Sequence, residues 1–489
     1  MDAPVAPAPP PPLTTSSIRS IMIGLMTAQL LAALDSTIVG PALPTIGRDL
    51  GSLGQLPWII TVYLLVSTAL TPLYGKLADI HGRRVVLLFA MSMFLVGSTA
   101  CALSRNIYVL ILSRAVQGVG GGGIFSLVQT IIGDIVPPRD RARFQVYSTS
   151  VWVVANLAGP AIGGIFAQHL HWSLIFWLNL PIGLAALFVT NTRLKLVPRH
   201  ERPHALDVVG AALIITASVL LMLALNWGGS EKPWLSPEIL GLFAGSAVLW
   251  ALLVWRLVTA AEPLIPLSVL SNPTVLAGTL TQFFAIGAYI AMSVYISIYF
   301  QVVTGLSASE SGLAIIPFLA FTSLGASVAA RLMVRLPHYG RIPLASLAVA
   351  AVCTMLIWLQ PRDMPWPLLQ ALLIVISVGV GTLFPVINVA IQMAVPLHSL
   401  GSAMALSIFL RSLGTAMAVA LFGTLTIDAV ASSHGGIANG GYDGTAAAHD
   451  FGNMFLVAAI GYAIGFVSLA FMKTQPLGRH ADRPAVISD

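Results

Sequence analysis

Charged residues are scarce in this chain: they make up 9% of its 489 residues, against about 25% in an ordinary soluble protein. Cysteine is also scarce, and both copies, Cys101 and Cys353, fall inside apolar stretches. That placement argues against a disulfide framework. No polar stretch between the apolar ones is long enough to form a soluble domain. These shortages together exclude the soluble globular class.

Long apolar runs take up most of the sequence. Hydrophobic residues make up 57% of the chain, and runs long enough to cross a bilayer recur from end to end. A helix of about 20 apolar residues spans roughly 30 Å of hydrocarbon. We count fourteen such runs. The sequence therefore predicts an all-α polytopic membrane protein with 14 spans.

The net charge of +6 reports topology, not a nucleic-acid partner. If the amino terminus is cytoplasmic, two arginines lie within spans and most other basic residues fall on the cytoplasmic side. The exceptions on the outer side are Arg48, Arg105, Lys232 and Arg362. Cytoplasmic loops carry the excess of Lys and Arg in membrane proteins. Both termini are therefore expected in the cytoplasm.

An internal repeat divides the chain into two halves. A shift of 259 residues places Gly120 on Gly379, Gly122 on Gly381 and an amide, Gln129, on another amide, Asn388. The same shift places Asp35 against Val294, so the second half has no matching acid. Parallel six-helix repeats around a site at the bilayer midplane are a transporter design.

The repeat and the composition predict five segments. The two spans between the halves have no counterpart in either half, and we expect them to be peripheral. The segments are a disordered cytoplasmic N-terminus (1–18, rich in Pro and Ala and without the basic region of a signal peptide), an N-terminal six-helix bundle (19–197), two linker transmembrane helices (198–262), a C-terminal six-helix bundle (263–474) and a cytoplasmic tail (475–489).

Asp35 is the only formal charge in the first apolar run. A carboxylate at mid-bilayer costs roughly 2.5–3.5 kcal/mol on insertion scales and normally faces a bundle interior or a water-filled cavity. We interpret Asp35 as a proton-coupling site, the alternative being a structural hydrogen bond. Arg114, a permanent cation in span four, is its expected electrostatic partner, unless the pair is static. Asp134 is either a second protonation site or an interfacial cap.

Two glycine-containing segments point to conformational roles. The loop Gly75–Arg84 carries one acid, Asp79, among several bases. Asp79 is placed to cap a neighbouring helix or to pair with Arg83, while the alternative is simple topogenic charge. In span five, Pro160 removes a helix hydrogen bond beside Gly159, and Gly163 and Gly164 permit another helix to approach closely. A merely kinked helix is the alternative.

Candidate cavity residues are aromatic, amide or cationic. Tyr289 and Tyr295 of span nine are expected to stack on flat compounds, although aromatics also serve as interfacial anchors or face lipid. Gln129 and Asn388 either line the cavity or hydrogen-bond across helices. Arg411 in span thirteen holds a counter-anion, polarises a cavity, binds an acidic substrate or has a structural partner.

The order of these motifs resembles a known family. Gly75–Arg84, including Gly82, Arg83 and Arg84, resembles the G-x-L-a-D-r-x-G-r-r signature loop of the major facilitator superfamily. Arg114–Gly120 is similar to its R-x-x-Q-G-x-G motif. Ala155–Gly164 is similar to the G-x-x-x-G-P-x-x-G-G motif of the antiporter branch, with alanine replacing the first glycine. Leu34–Pro44 and His171–Pro181 resemble segments of the fourteen-span drug:proton antiporters.

The resemblance implies the major facilitator fold, with two six-helix bundles plus two additional helices. It also implies a proton-coupled antiporter that exports lipophilic small molecules or drugs by alternating access, driven by the proton gradient without a cofactor. The alternative is an exporter or importer of a specific metabolite. The chain is then expected to act as a monomer in the bacterial inner membrane. Some relatives pass cargo to a periplasmic adaptor and an outer-membrane channel, so such partners remain open.

No enzyme is expected, because the sequence shows no cluster of acids and histidines on one face and no appended soluble domain.

Overall fold

A computed structural model describes residues 15–51, 55–196, 206–229, 231–336, 338–362, 364–436 and 444–474. In these segments, 14 helices are long and apolar enough to cross a membrane. This confirms the predicted all-helical, fourteen-span fold. Most of the predicted disordered N-terminus (residues 1–14) and the predicted tail (475–489) lie outside the described residues.

The spanning helices are numbered in chain order. The first seven are α1 (Ser17–Leu50), α2 (Leu56–His81), α3 (Arg83–Ala102), α4 (Ile107–Ile135), α5 (Pro138–His169), α6 (Leu174–Arg193) and α7 (Val208–Trp227). The second seven are α8 (Pro237–Thr259), α9 (Pro273–Val302), α10 (Glu310–Arg335), α11 (Arg341–Leu359), α12 (Trp366–Ala394), α13 (Leu397–Thr426) and α14 (Ala448–Ala470). A 3-10 turn at Gly40–Ala42 interrupts α1, and a π-helical turn at Gln282–Ile286 interrupts α9.

The two halves use the same helix packing. Helices α2 and α3 pack on α4 in the first half, and α10 and α11 pack on α12 in the second. A Cβ added at Gly122 of α4 would lie 2.2 Å from the Ser67 carbonyl oxygen of α2. A Cβ added at Gly381 of α12 would lie 2.2 Å from the Thr322 carbonyl oxygen of α10. Glycine is therefore required at equivalent close helix crossings in both halves.

Helices α7 and α8 pack on each other, and α7 also contacts both halves through α2 and α13. Asn226 of α7 donates a hydrogen bond to the Thr61 hydroxyl of α2 at 3.1 Å. The Trp227 and Trp58 rings meet edge to face at 5.9 Å. The expectation that this pair is peripheral is therefore wrong for α7. Hydrophobicity alone could not show this, because lipid tails are as apolar as the helix itself.

Candidate functional site: a buried ion pair beside a central cavity

Asp35 and Arg114 form an ion pair inside the first half. One Asp35 carboxylate oxygen accepts a hydrogen bond from Arg114 Nη1 at 2.6 Å. The other accepts from Gln117 Nε2 at 2.8 Å and from Asn179 Nδ2 at 2.7 Å. The Asp35 side chain is 0% exposed and that of Arg114 is 1% exposed. Residues from α1, α4 and α6 thus hold a fully compensated carboxylate.

The Arg114 guanidinium is equally well satisfied. Besides the ion pair, Nη1 donates to Gln117 Oε1 at 2.7 Å, and Nε donates to the Ile59 carbonyl oxygen at 3.1 Å. The guanidinium carbon also lies 4.2 Å from the centroid of the Tyr63 ring, within cation–π range. Tyr63 in turn lines the central cavity. The ion pair is therefore in contact with a residue of the cavity wall.

The central cavity has a volume of about 890 Å³ and is lined by both halves and by α7. The surface of its walls is mostly apolar, although many lining residues carry hydroxyl or amide groups. Phe125 stacks on Trp152 with 5.1 Å between ring centroids. Thr61 and Gly229 line it where α2 begins and α7 ends. We call this end of the bundle the open end. A cavity of this size and character suits a small amphipathic molecule.

A layer of amides forms the floor of the cavity. Gln129 and Asn388 occupy equivalent positions in the two halves, and Gln145 joins them: it donates to Gln129 Oε1 at 2.6 Å and accepts from Asn388 Nδ2 at 3.1 Å. Two serines extend the layer symmetrically, because Ser148 bonds Gln29 and Ser407 bonds Gln282. The halves are therefore hydrogen-bonded to each other below the cavity.

The opposite end, which carries Arg83, Arg141, Arg335 and Arg341 and is called the basic end, is closed. Arg83 pairs with Asp134 and lies 3.3 Å from Asp79. It also donates across the interface to the Leu397 carbonyl oxygen at 2.7 Å.

Asp79 reaches the same partner helix as Arg83. Its carboxylate accepts from the backbone N–H groups of Gly401 and Ser402 at 3.2 and 3.0 Å, and from the Ser402 hydroxyl at 3.0 Å. It thus caps the N-terminus of α13, where a negative charge is favourable. Gly75 lies in the same contact, because a Cβ there would lie 2.5 Å from the Gly401 carbonyl oxygen. The loop therefore clamps the halves together.

The remaining residues of the loop have local roles. Gly82 separates α2 from α3 with a φ of 86°, a backbone conformation that favours glycine. Arg84 donates to the Asn191 side chain of α6 within the first half.

Helix α5 crosses α1 at a contact made by two glycines. A Cβ at Gly159 would lie 2.0 Å from Thr37 Oγ1, and one at Gly163 would lie 2.1 Å from the Ile38 carbonyl oxygen. Pro160 lies inside the helix between them. At Gly164, however, an added Cβ would meet nothing within 4 Å. The expected close approach therefore does not involve Gly164, which points away from α1.

A Gly163→Ala substitution is expected to destabilise the protein by about 1–3 kcal/mol, because the new methyl group forces α1 and α5 apart. Gly164→Ala is the matched control and is expected to be neutral. Scanning fluorimetry of the purified variants would measure the difference as a shift in apparent melting temperature. Equal melting temperatures for the two variants would contradict the tight α1–α5 crossing.

The structure brings some of the predicted site residues together and separates others. Asp35 and Arg114 are in contact, whereas Asp134 lies at the basic end in the Arg83 network. The five predicted cavity residues all line the cavity, namely Gln129, Tyr289, Tyr295, Asn388 and Arg411. The tyrosine hydroxyls are engaged: that of Tyr289 bonds the Phe318 carbonyl oxygen at 3.0 Å, and that of Tyr295 bonds the Val419 carbonyl oxygen at 3.2 Å.

Sequence reasoning missed the roles of Gln117, Asn179 and Gln145. The first two complete the shell of the Asp35 carboxylate, and the third joins the halves. Gln117 and Asn179 both fall within motifs recognised in the sequence, which was the signal available. Gln145 had no such signal, because a single amide near the end of a span is ordinary.

Comparison with known sequences gives a consistent result. The family model described as the Major Facilitator Superfamily matches residues 25–419. An uncharacterised MFS-type transporter of Mycobacterium tuberculosis is 33% identical over 437 residues, which cover 88% of this chain and 63% of that protein. The multidrug transporter protein MdtP of Bacillus subtilis is 33% identical over 387 residues, covering 79% and 71%. This chain thus spans less than two thirds of the mycobacterial relative.

Solved structures share the fold. A human organic anion transporter, MFSD10, superimposes with a TM-score of 0.66 at 17% identity, covering 92% of this chain and 99% of that one. A bacterial homologue of the iron transporter ferroportin, in an outward-facing state, gives a TM-score of 0.65 at 14% identity, covering 93% and 98%. At these identities the similarity shows the fold alone.

Proposed function

Because this chain belongs to the major facilitator superfamily, we propose that it is a proton-coupled antiporter exporting lipophilic small molecules from the bacterial cytoplasm across the inner membrane. Membership of the family makes it a multi-pass membrane transporter and not an enzyme. The observation that carries the proposal is the Asp35–Arg114 pair, a buried ionisable group behind the cavity wall. The name of the Bacillus relative, a multidrug transporter, supports drugs as cargo.

The distribution of charge supports an orientation of the protein in the membrane. The basic end carries the excess of arginine that marks the cytoplasmic side of membrane proteins. With both termini in the cytoplasm, the closed basic end faces inward and the cavity faces outward. The structure then represents the outward-facing state, in which cargo is released and protons are taken up.

The contacts of Asp35 support a mechanism for coupling. Protonation would remove the negative charge that Arg114 faces and weaken the hydrogen bonds from Gln117 and Asn179, since a carboxylate is a stronger acceptor than a carboxylic acid. Arg114 would then depend on the Ile59 carbonyl oxygen and the Tyr63 ring. We propose that the resulting shift of Tyr63 favours closure of the open end. Release of the proton to the cytoplasm would restore the pair and permit the next loading.

A flux experiment tests this proposal. The purified protein would be reconstituted into vesicles with its basic end outward and offered three fluorescent probes: dansylglycine (anionic), dansylglycinamide (neutral) and dansylcadaverine (cationic). We expect at least one probe to accumulate when the lumen is acidic, with a matching rise in lumenal pH reported by trapped pyranine.

Three results would contradict the proposal. They are accumulation that ignores the pH gradient, proton movement in the same direction as the probe, and no transport of any probe above that of protein-free vesicles.

A further inference from the structure

Arg411 is a cation in the wall of the cavity, and no described residue pairs with its guanidinium. It lies on α13 and is half-buried. Its neighbours on the lining face, Ile408, Ser412, Thr415 and Val419, follow at helical spacings of three and four. Among the described residues, no hydrogen-bond or ion-pair partner contacts its guanidinium; the Thr415 hydroxyl donates to the Arg411 backbone carbonyl oxygen and not to its side chain. The side chain therefore presents unused donors to the cavity.

No acid balances this charge within the cavity. Among the described residues that line it, Arg411 is the only formally charged one. Asp35 does not line the cavity, is 0% exposed and already accepts three hydrogen bonds. The cavity therefore has a positive character, set by one residue of the second half.

Arg114, which also lies deep in a span, differs from Arg411 in its burial and its partners. Arg114 is 1% exposed and pairs with Asp35, Gln117 and the Ile59 carbonyl oxygen. An arginine at membrane depth normally has such partners. Arg411 has none among the described residues, although its planar fork of five N–H donors matches a carboxylate or sulfonate in geometry. The missing partner is best supplied by cargo.

We propose that the cavity takes amphipathic organic anions, each with a flat apolar body and one carboxylate or sulfonate group, and that Arg411 binds the anionic group. This inference rests on the proposed function. The shift of 259 residues places Trp152 at the position equivalent to Arg411, and Trp152 stacks on Phe125 in the cavity wall. The first half therefore offers an aromatic surface for the flat body, and the second offers the cation.

Closure of the cavity makes this preference stronger. In the open state, water solvates Arg411. In the proposed cycle, cargo loads from the basic end. When that end closes around the cargo, water is expelled, and an unpaired guanidinium becomes unfavourable in the low-dielectric interior. An anionic cargo pairs with Arg411 and removes this penalty. A neutral cargo leaves the guanidinium unpaired, and a cationic cargo adds repulsion. Selection thus acts on the closing step as well as on binding.

Binding to the purified protein tests the inference independently of proton coupling. Trp152 lines the cavity, so energy transfer from tryptophan would report the affinity of each dansyl probe. We expect the wild type to bind dansylglycine about tenfold to a hundredfold more tightly than dansylglycinamide, the effect of one charge-assisted interaction. Dansylcadaverine is expected to bind more weakly than both.

Variants assign that preference to Arg411. Arg411→Gln is expected to weaken dansylglycine binding by about tenfold or more while dansylglycinamide changes by less than about twofold, and Arg411→Lys is expected to keep part of the preference. Arg48→Gln is the matched control: Arg48 lies near the open end, is exposed, lies outside the cavity and contacts its own helix through Pro44. It should leave all three affinities unchanged.

Several outcomes would overturn the inference. They are equal affinities of the wild type for the anionic and neutral probes, tighter binding of the cationic probe, no binding of dansylglycine, or equal losses for both glycine probes in Arg411→Gln. The wild-type comparison decides the point even where a variant does not fold. Anion-selective binding without gradient-driven flux would instead contradict the proposed function, while the anion-binding role of Arg411 would still be supported.

Discussion

Replacing Asp35 by asparagine is expected to abolish gradient-driven transport while the protein still inserts into the membrane. An amide has nearly the shape of the carboxylate, so Gln117 and Asn179 keep a hydrogen-bonding neighbour. The amide at position 35 cannot bind and release a proton, so the coupling step is lost. Arg114 also loses its counter-charge, and removing one partner of a buried pair costs about 3–5 kcal/mol. We therefore expect a lower melting temperature together with the loss of coupling.

The matched control for this variant is Asp207→Asn. Asp207 is also a buried carboxylate paired with an arginine, Arg256, at 3.1 Å, but it lies at the start of α7 and does not line the cavity. The control should lose stability and keep gradient-driven transport. Asp35→Asn should instead reduce such transport to that of protein-free vesicles, while probe-for-probe exchange without a gradient persists. Normal gradient-driven transport by Asp35→Asn would remove Asp35 from the coupling mechanism.

The sequence predicted the ion pair because Asp35 and Arg114 are charged residues within otherwise apolar spans. A charge in an apolar span needs a partner, and the first half has one acid and one arginine deep in its spans. A neutral amide in a span is not exceptional in this way, so the contacts of Gln117 and Asn179 with Asp35 emerged only in the structure, although both residues lie within recognised motifs. The fourteen spans were predictable for the same kind of reason, because hydrocarbon thickness fixes their length.

The register of the repeat was less predictable than its existence. The shift of 259 residues holds for Ser148 and Ser407, whereas the glutamines that bond them, Gln29 and Gln282, differ by 253. Connections between the early spans therefore differ in length between the halves. In this register Asp35 corresponds to Ala288 and not to Val294. Both residues are apolar, so the absence of a matching acid in the second half still holds.

The orientation of side chains within spans could not be read from the sequence. Arg411 was open to several interpretations, because whether an arginine faces a partner or a cavity depends on helix packing. The same uncertainty applied to Gly164, which stands next to Gly163 but points away from α1. A helix in lipid has no polar face to fix its rotation, so such assignments need the fold.

The second large effect is expected at the basic end, where Asp79 contacts Arg83 and the N-terminus of α13. Asp79→Asn would remove the negative charge that pairs with Arg83 and stabilises the N-terminus of α13. It would preserve the shape of the side chain. A hydrogen bond to a charged group contributes about 1.5–3 kcal/mol, and about 1.4 kcal/mol changes a population tenfold. We therefore expect the outward-facing population to fall by about tenfold or more relative to states open at the basic end, with a matching loss of transport.

Spin labels at His81 and Arg341, exposed residues in opposite halves at the basic end, would measure this shift as a longer inter-label distance. Glu238→Gln is the control, because it breaks an exposed ion pair with Lys232 away from the interface and exposed pairs contribute little. The contacts of Asp79 oppose opening of the basic end, so their loss should also raise the rate at which that end opens. Unchanged distances in Asp79→Asn would mean that the contacts of Asp79 are not needed to hold the basic end closed.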